Sequence, residues 1–229
     1  MKVKSYDKIS LKDSIYIDLP HFEGDGLVVN DISRYHHTMQ LTGAPVWTRL
    51  ASGQYVLDYS GVGQYLQCPA ADSANLNFTV EDFTLIAWVN GNPAGAGMVL
   101  CQGAVDVDGW EFYTFGTTVA LRTNQGGAHT GISTIGTYTP STWQLIGVTR
   151  HGTSGQFYIN GAAVNTTLGT GLSNPVSCAG GNKLLSGIQN NELTNAWLGM
   201  MGGHKIYARA LLAGEMQDIY NKEKSLYGL

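Results

Sequence analysis

The run Thr142-Trp-Gln-Leu-Ile-Gly-Val-Thr-Arg150, the polar turn His151-Gly-Thr-Ser-Gly155 and the run Gln156-Phe-Tyr-Ile-Asn-Gly161 constrain the fold more than any other part of the chain. Ile146, Val148, Thr149, Phe157, Tyr158 and Ile159 favour extended backbone, Gly152, Ser154 and Gly155 supply a reversal, and Asn160-Gly161 is a dipeptide preferred in tight turns. The two runs therefore predict antiparallel strands. Thirty glycines against 13% charged residues extend that reading to the whole chain, because such a composition suits many short strands joined by tight turns. With 229 residues and 43% hydrophobic content, one core suffices. The expectation is a polar, Lys-rich arm over residues 1–14 and a single β-sandwich domain over 15–229.

Period-two patterning supports this along the chain. Gln54-Tyr-Val-Leu-Asp-Tyr59 places Tyr55, Leu57 and Tyr59 on one face, and Gln64-Tyr-Leu-Gln-Cys68 follows the Gly61-Val-Gly63 turn. Phe83-Thr-Leu-Ile-Ala-Trp-Val89 is apolar on both faces, which predicts a central strand covered on both sides. Met98–Gln102, Trp110–Phe115, Val119–Arg122, Lys183–Ser186, Trp197–Met201 and His204–Tyr207 read as further strands. Only Leu212–Asn221 has helical spacing, with Leu212, Met216, Ile219 and Tyr220 on one face. Polar connections around 35–50, 123–140 and 162–182 are the candidate functional loops.

Several classes are disfavoured. A formal net charge of -4 with 13 Lys plus Arg forms no basic stripe for a phosphate backbone, so nucleic acid is not an expected partner. No apolar run approaches the ~20 residues of a membrane span, and the start, Met-Lys-Val-Lys-Ser-Tyr-Asp-Lys-Ile-Ser, lacks a secretory apolar stretch. The expected location is a virion, or the cell interior before release, rather than classical secretion. Cys68, Cys101 and Cys178 are odd in number and widely spaced, which suits free, buried thiols with room for at most one bridge.

Phe83-Thr-Leu-Ile-Ala-Trp88, Trp143 opening a strand, Gln156-Phe-Tyr-Ile-Asn-Gly161, and Lys205-Ile-Tyr-Ala-Arg-Ala-Leu211 with Glu215 and Tyr220 occur in an order that resembles laminin-G-like, concanavalin A-like jelly-roll domains. The resemblance spans roughly residues 15 to 225 and takes in Asp31-Ile-Ser33 and Gly61-Val-Gly-Gln-Tyr-Leu66. It implies an all-β, two-sheet antiparallel jelly roll with a short C-terminal helix and a rim of loops that commonly binds glycans or proteins. The same fold hosts glycosidases, lyases, lectins and structural modules, so function must be argued from residues.

Asp106-Val-Asp-Gly-Trp-Glu111 is superficially similar to the carboxylate strand of jelly-roll glucanases. Hydrolysis with retention needs two carboxyl groups about 5–5.5 Å apart on one face. Here Asp108-Gly109 is a turn dipeptide, which puts Asp106 and Asp108 in a loop and leaves only Glu111 on the strand, so no catalytic residue is expected. The resemblance also implies a structural calcium, with Asp31 at the family's early position and Glu23 and Asp25 close by. Gly202-Gly203-His204 stands where the family usually carries acidic residues, and the alternative for Asp31 is an Asx turn. The six histidines (His21, His36, His37, His129, His151, His204) have no ligand-pair spacing and are expected in loops.

Trp110 and Tyr113 are suited to stacking on sugar rings, and Arg122, Asn124, Gln125 and His129 to hydrogen-bonding hydroxyls of a neutral ligand. The alternative for Trp110 and Phe112 is packing in the core. The first functional expectation is a non-catalytic binding or adhesion module for a glycan or a surface protein. A second is a virus-particle component, a capsid decoration or tail-fibre protein, self-assembling or touching the capsid through the polar arm. A polysaccharide hydrolase or lyase acting through Glu111 is the third.

Overall fold

The computed structural model describes residues 11–61, 63–91, 95–166, 168–169, 171–178, 183–190 and 195–229. In chain order its strands are β1 (Ile15–Leu19), β2 (Val28–Asn30), β3 (Thr38–Thr42), β4 (Val46–Arg49), β5 (Tyr55–Tyr59), β6 (Tyr65–Cys68), β7 (Phe83–Gly91), β8 (Ala96–Gln102), β9 (Trp110–Phe115), β10 (Thr118–Asn124), β11 (His129–Ser133), β12 (Gln144–His151), β13 (Ser154–Ile159), β14 (Ala162–Val164), β15 (Leu168–Gly169), β16 (Leu184–Ser186) and β17 (Gly199–Tyr207). The α-helices are α1 (Leu11–Ser14) and α2 (Ala213–Glu223).

Among the described residues the strands form two antiparallel sheets. The eight-stranded sheet runs β14-β13-β12-β7-β17-β5-β4, with β1 also on β17, and the nine-stranded sheet runs β15-β11-β10-β9-β8-β16-β6-β3-β2. This is the expected all-β sandwich. The central position of β7 explains its unbroken apolar run: Leu85, Ala87 and Val89 face the inter-sheet core, while Ile86 and Trp88 are buried on the other side.

The predicted hairpin forms with a tighter reversal than expected. His151 pairs with Ser154, leaving Gly152-Thr153 as the turn, with Gly152 at φ 56°. Asn160 and Gly161 have φ 52° and 78°, the left-handed pair that a mirror-image turn demands, and Asn160 Oδ1 also accepts the Leu145 N–H at 3.0 Å. The two segments expected around 197–207 are one strand, β17, with an irregularity between Met201 and His204 where Gly202-Gly203 intervenes. The polar connections contain β3, β4, β11, β14 and β15, all short strands of two to five residues.

Among the described residues, apolar side chains bury in three layers. The largest fills the space between the sheets. A second lies on the outer side of the eight-stranded sheet, where α2 sets Met216 and Ile219 against Trp88 and Leu145, and Tyr227 stacks on Trp88 at 4.1 Å between ring centroids. Leu212, expected on that helical face, is instead 60% exposed: it is the N-cap with extended backbone, and its N–H is held by the Glu215 carboxylate at 2.8 Å. The third layer, Met98, Cys101, Leu185 and Ile188, is small and covers part of the outer side of the nine-stranded sheet. The packed body begins earlier than residue 15. Leu11 packs on the α2 side and Arg209 Nε donates to Ser14 Oγ at 3.1 Å, and residues 1–10 of the expected arm lie outside the described residues. All three cysteines are free thiols, Cys68 and Cys101 buried and Cys178 half-buried.

Candidate functional site

Because α2 covers one sheet, the outer face of the other is where side chains remain open. On β9, β10 and β11 the alternation sends Trp110, Phe112, Val119, Leu121 and Ile132 into the core. Tyr113, Ala120, Arg122, Gly131 and Ser133 therefore face outward, and together with His129 they line a hollow of about 290 Å³. A second hollow of about 320 Å³, bordered by Thr153, Ser154, Gly155, Thr166 and Gly171, shares Ile132 and Gly169 with the first. The second lies beside the β12–β13 turn of the eight-stranded sheet rather than on the outer face of β10. Each approaches the lower end of the roughly 300–1,000 Å³ range of small-ligand sites.

The floor is small by necessity. A side chain on Gly169 (φ 135°) would place Cβ 2.1 Å from the Gly131 carbonyl oxygen, and one on Gly131 would come within 3.1 Å of the Leu121 carbonyl. Above this floor the Arg122 guanidinium lies 5.4 Å from the Tyr113 ring centroid. Burial raises the Tyr113 hydroxyl's pKa, so the phenol is neutral and offers an O–H.

Glu111 projects on the same face but is closed off. Its buried carboxylate accepts from Arg122 Nε and Nη2 through Oε2, and from Gln189 Nε2 through Oε1 at 2.8 Å. Gln189 is in turn held through its Oε1 by Asn195 Nδ2 at 2.5 Å. Asp106 and Asp108 are in the preceding loop, as expected. Asp108 Oδ1 accepts the Ala104 N–H at 2.8 Å, whereas Asp106, at φ 59°, pairs with His129 Nδ1 at the rim. Both Glu111 oxygens are thus engaged by cationic or amide donors rather than poised beside a second carboxyl group.

Of the predicted ligand residues, Tyr113, Arg122 and His129 come together at the hollow. Trp110 and Asn124 do not. Trp110 is fully buried, its Nε1–H bonded to the Leu76 carbonyl at 3.2 Å, so it is a core residue and not a stacking platform. Asn124 is also fully buried: Nδ2 donates to the Asp108 carbonyl at 3.0 Å and Oδ1 accepts the Asp106 N–H at 3.1 Å, so it staples the loop. Gln125 Nε2 donates to Thr123 Oγ1 at 3.0 Å. Ala120, Gly131 and Ser133 were not foreseen; the first could have been found by carrying the β10 alternation back from Arg122, but β11 has no apolar pattern to extend.

Asp31 and Asp25 were expected at a calcium. Asp31 Oδ1 accepts the Asp18 and Ser33 N–H groups, each at 2.9 Å. Its Oδ2 accepts Ser33 Oγ–H (2.8 Å), the His37 N–H (3.0 Å) and His37 Nδ1–H (2.6 Å). Five protein donors fill the carboxylate, and the adjoining strand adds the Lys205 ammonium, 2.6 Å from Asp18 and 3.1 Å from Glu223. Asp25 is exposed, and the Glu23 carboxylate caps Asn30. These side chains do not fit a calcium ion, which requires six to eight oxygen ligands. Asp31 is a turn cap. Burial alone would raise its pKa, but the His37 ring and the three backbone N–H groups outweigh it and hold the carboxyl below the usual range.

The histidines divide differently from the expected loop set. His37 is buried with Nδ1 on Asp31 and Nε2 at 3.0 Å from Asn75 Oδ1; burial opposes its charge, yet these acceptors raise its pKa. His21 and His204 are fully buried, ring centroids 5.4 Å apart. His204 Nε2 meets Ser186 Oγ at 3.0 Å, while His204 Nδ1 has no hydrogen-bond partner among the described residues. Burial drives the His204 pKa down to about 3 and, with the neighbouring His204 ring, takes His21 well below its ordinary value.

A laminin-G profile of the concanavalin A-like lectin/glucanases superfamily matches residues 60–217, more than half of the chain. The chain belongs to this superfamily. Solved superfamily-like folds include that of botulinum neurotoxin type C, whose cell entry depends on interaction with two ganglioside molecules (14% identity, TM-score 0.69, covering 93% of this chain and 52% of that one). The binding domain of botulinum neurotoxin DC, in complex with rat synaptotagmin II, is similar at 14% identity and TM-score 0.68, with 93% and 52% covered. So is the binding domain of Paraclostridial Mosquitocidal Protein 1, at 16% identity and TM-score 0.70, with 96% and 56% covered. At these identities the likeness is one of fold, and the chain spans about half the length of the solved chains it matches. No curated protein matches it in sequence.

Proposed function

We propose that this chain is a non-catalytic recognition domain that binds a cell-surface glycan, or a surface protein, in the outer-face groove of its nine-stranded sheet. The observation that carries the reading is the hollow over β10, β11 and β15, walled by Tyr113, Arg122 and His129, on the outer face of the sheet that α2 does not cover. An aromatic ring, a guanidinium and hydroxyls over a flat glycine and alanine floor are suited to sugar rings. Glu111, the residue a hydrolase would need, is bound by Arg122 and Gln189. The similar folds lend support, since one belongs to a toxin whose cell entry depends on ganglioside molecules and another to a binding domain in complex with synaptotagmin II. Among the described residues nothing favours the particle-component alternative.

A glycan array and a cell-surface pull-down test the reading together. Tyr113→Ala and His129→Ala should each weaken binding about tenfold or more with the fold retained. Wild-type binding to neither glycans nor cells, or binding that both variants leave intact, refutes the assignment.

A further inference from the structure

We infer that the groove selects uncharged oligosaccharides and discriminates against sialylated, sulfated or uronate-bearing ones. This rests on the recognition role proposed above. Capturing an acidic sugar needs a cation whose charge is not already balanced. Among the described residues, two side chains lining the hollow can carry positive charge, and each has its own carboxylate. The Arg122 guanidinium turns Nε and Nη2 to Glu111, and His129 Nδ1 pairs with Asp106.

The first pairing is fixed. Glu111 has a side chain only 1% exposed and cannot turn to water, because its other oxygen is held by Gln189, which Asn195 holds in turn. An incoming carboxylate at Arg122 would meet a neutralised guanidinium with a buried anion directly behind it. A neutral hydroxyl meets no such opposition: it finds the remaining Arg122 N–H groups, the neutral Tyr113 phenol and the Ser133 hydroxyl. The adjoining hollow continues the pattern with Thr153, Ser154 and Thr166, none of them charged.

The test compares neutral galactose- and glucose-terminated oligosaccharides with their sialylated and sulfated counterparts, immobilised at equal density, against the full chain and a Glu111→Gln variant. Wild type should bind neutral forms at least about tenfold better than matched acidic forms. Its neutral binding should change little between roughly 0.05 and 0.5 M salt, since no net charge pair forms. Glu111→Gln keeps the side-chain shape but releases the Arg122 charge, so it should gain salt-sensitive binding to acidic glycans and narrow or reverse the preference. Wild-type preference for acidic glycans overturns the inference while leaving glycan recognition standing. Failure to bind any glycan overturns the recognition role beneath it. An unaltered preference in folded Glu111→Gln overturns the part given to Arg122. If that variant does not fold, strongly salt-sensitive wild-type binding does the same.

Discussion

The buried pair His21 and His204 should make this domain acid-labile through a quantifiable route. Both imidazoles are neutral in the folded protein, with His204 titrating near 3 and His21 well below its ordinary value, whereas in the unfolded chain each titrates near about 6.5. Because their folded pKa values are depressed, the unfolded state binds more protons below about pH 6.5, and stability falls as pH drops through that point toward the folded values. From about pH 7.5 to about pH 5.0 His204 removes about 2 kcal/mol, and His21 adds a loss of the same sign. That is a large share of the ~5–15 kcal/mol typical of a folded domain. His37 acts in the opposite sense: its raised pKa contributes stability fully present below about 6.5 and lost as pH rises through the folded value. Comparison with His204→Gln, which retains a hydrogen-bonding group for Ser186, cancels His37 and leaves one titrating histidine of the pair. Urea unfolding followed by tryptophan fluorescence at the two pH values should show about 2 kcal/mol less acid destabilisation in the variant. Equal losses within about 0.5 kcal/mol, or a greater loss in His204→Gln, would refute the argument.

Two further perturbations probe how the sheets and helix are joined. Lys205→Met leaves the Asp18 and Glu223 carboxylates facing each other without their shared ammonium, and should cost roughly 3–5 kcal/mol by chemical denaturation. Adding Asp18→Asn and Glu223→Gln should return most of that loss; no recovery would mean the defect is one of packing. Gly161→Ala forces a Cβ onto a residue at φ 78° and to within 2.9 Å of Tyr220 Cβ, so at least about 1–2 kcal/mol should be lost. Calorimetry should register a lowered melting temperature, and an unchanged one would show that α2 shifts freely.

The strands visible in the sequence are those with two-sided or strictly alternating apolar character, β7, β12 and β13 above all, because burial against both neighbours leaves a dense hydrophobic record. Strands β3, β4, β11, β14 and β15 are short, and a strand needing only one buried side chain in two looks like a polar loop. The binding candidates show the same boundary. Alternation along Trp110–Phe115 already separates inward Trp110 and Phe112 from outward Glu111 and Tyr113. It could not reveal that Asn124, which shares Arg122's parity, is covered by the loop around Asp108 more than a dozen residues upstream. Nor does spacing disclose the buried histidines, since the partners that define them, Asn75 for His37 and Ser186 for His204, come from distant strands and turns.

The packing of Leu11 and Tyr227 into the α2-side layer puts the first described residues and the last turn of the chain on the side of the sandwich facing away from the groove. A tag, tether or fluorophore fused at residue 229 would therefore project away from Tyr113 and Ser133. Surface capture through that end would present every molecule with its groove toward the analyte. For biosensing or for multivalent display on a particle, the fold supplies its own orientation, and closely spaced copies would add avidity to any single-site binding.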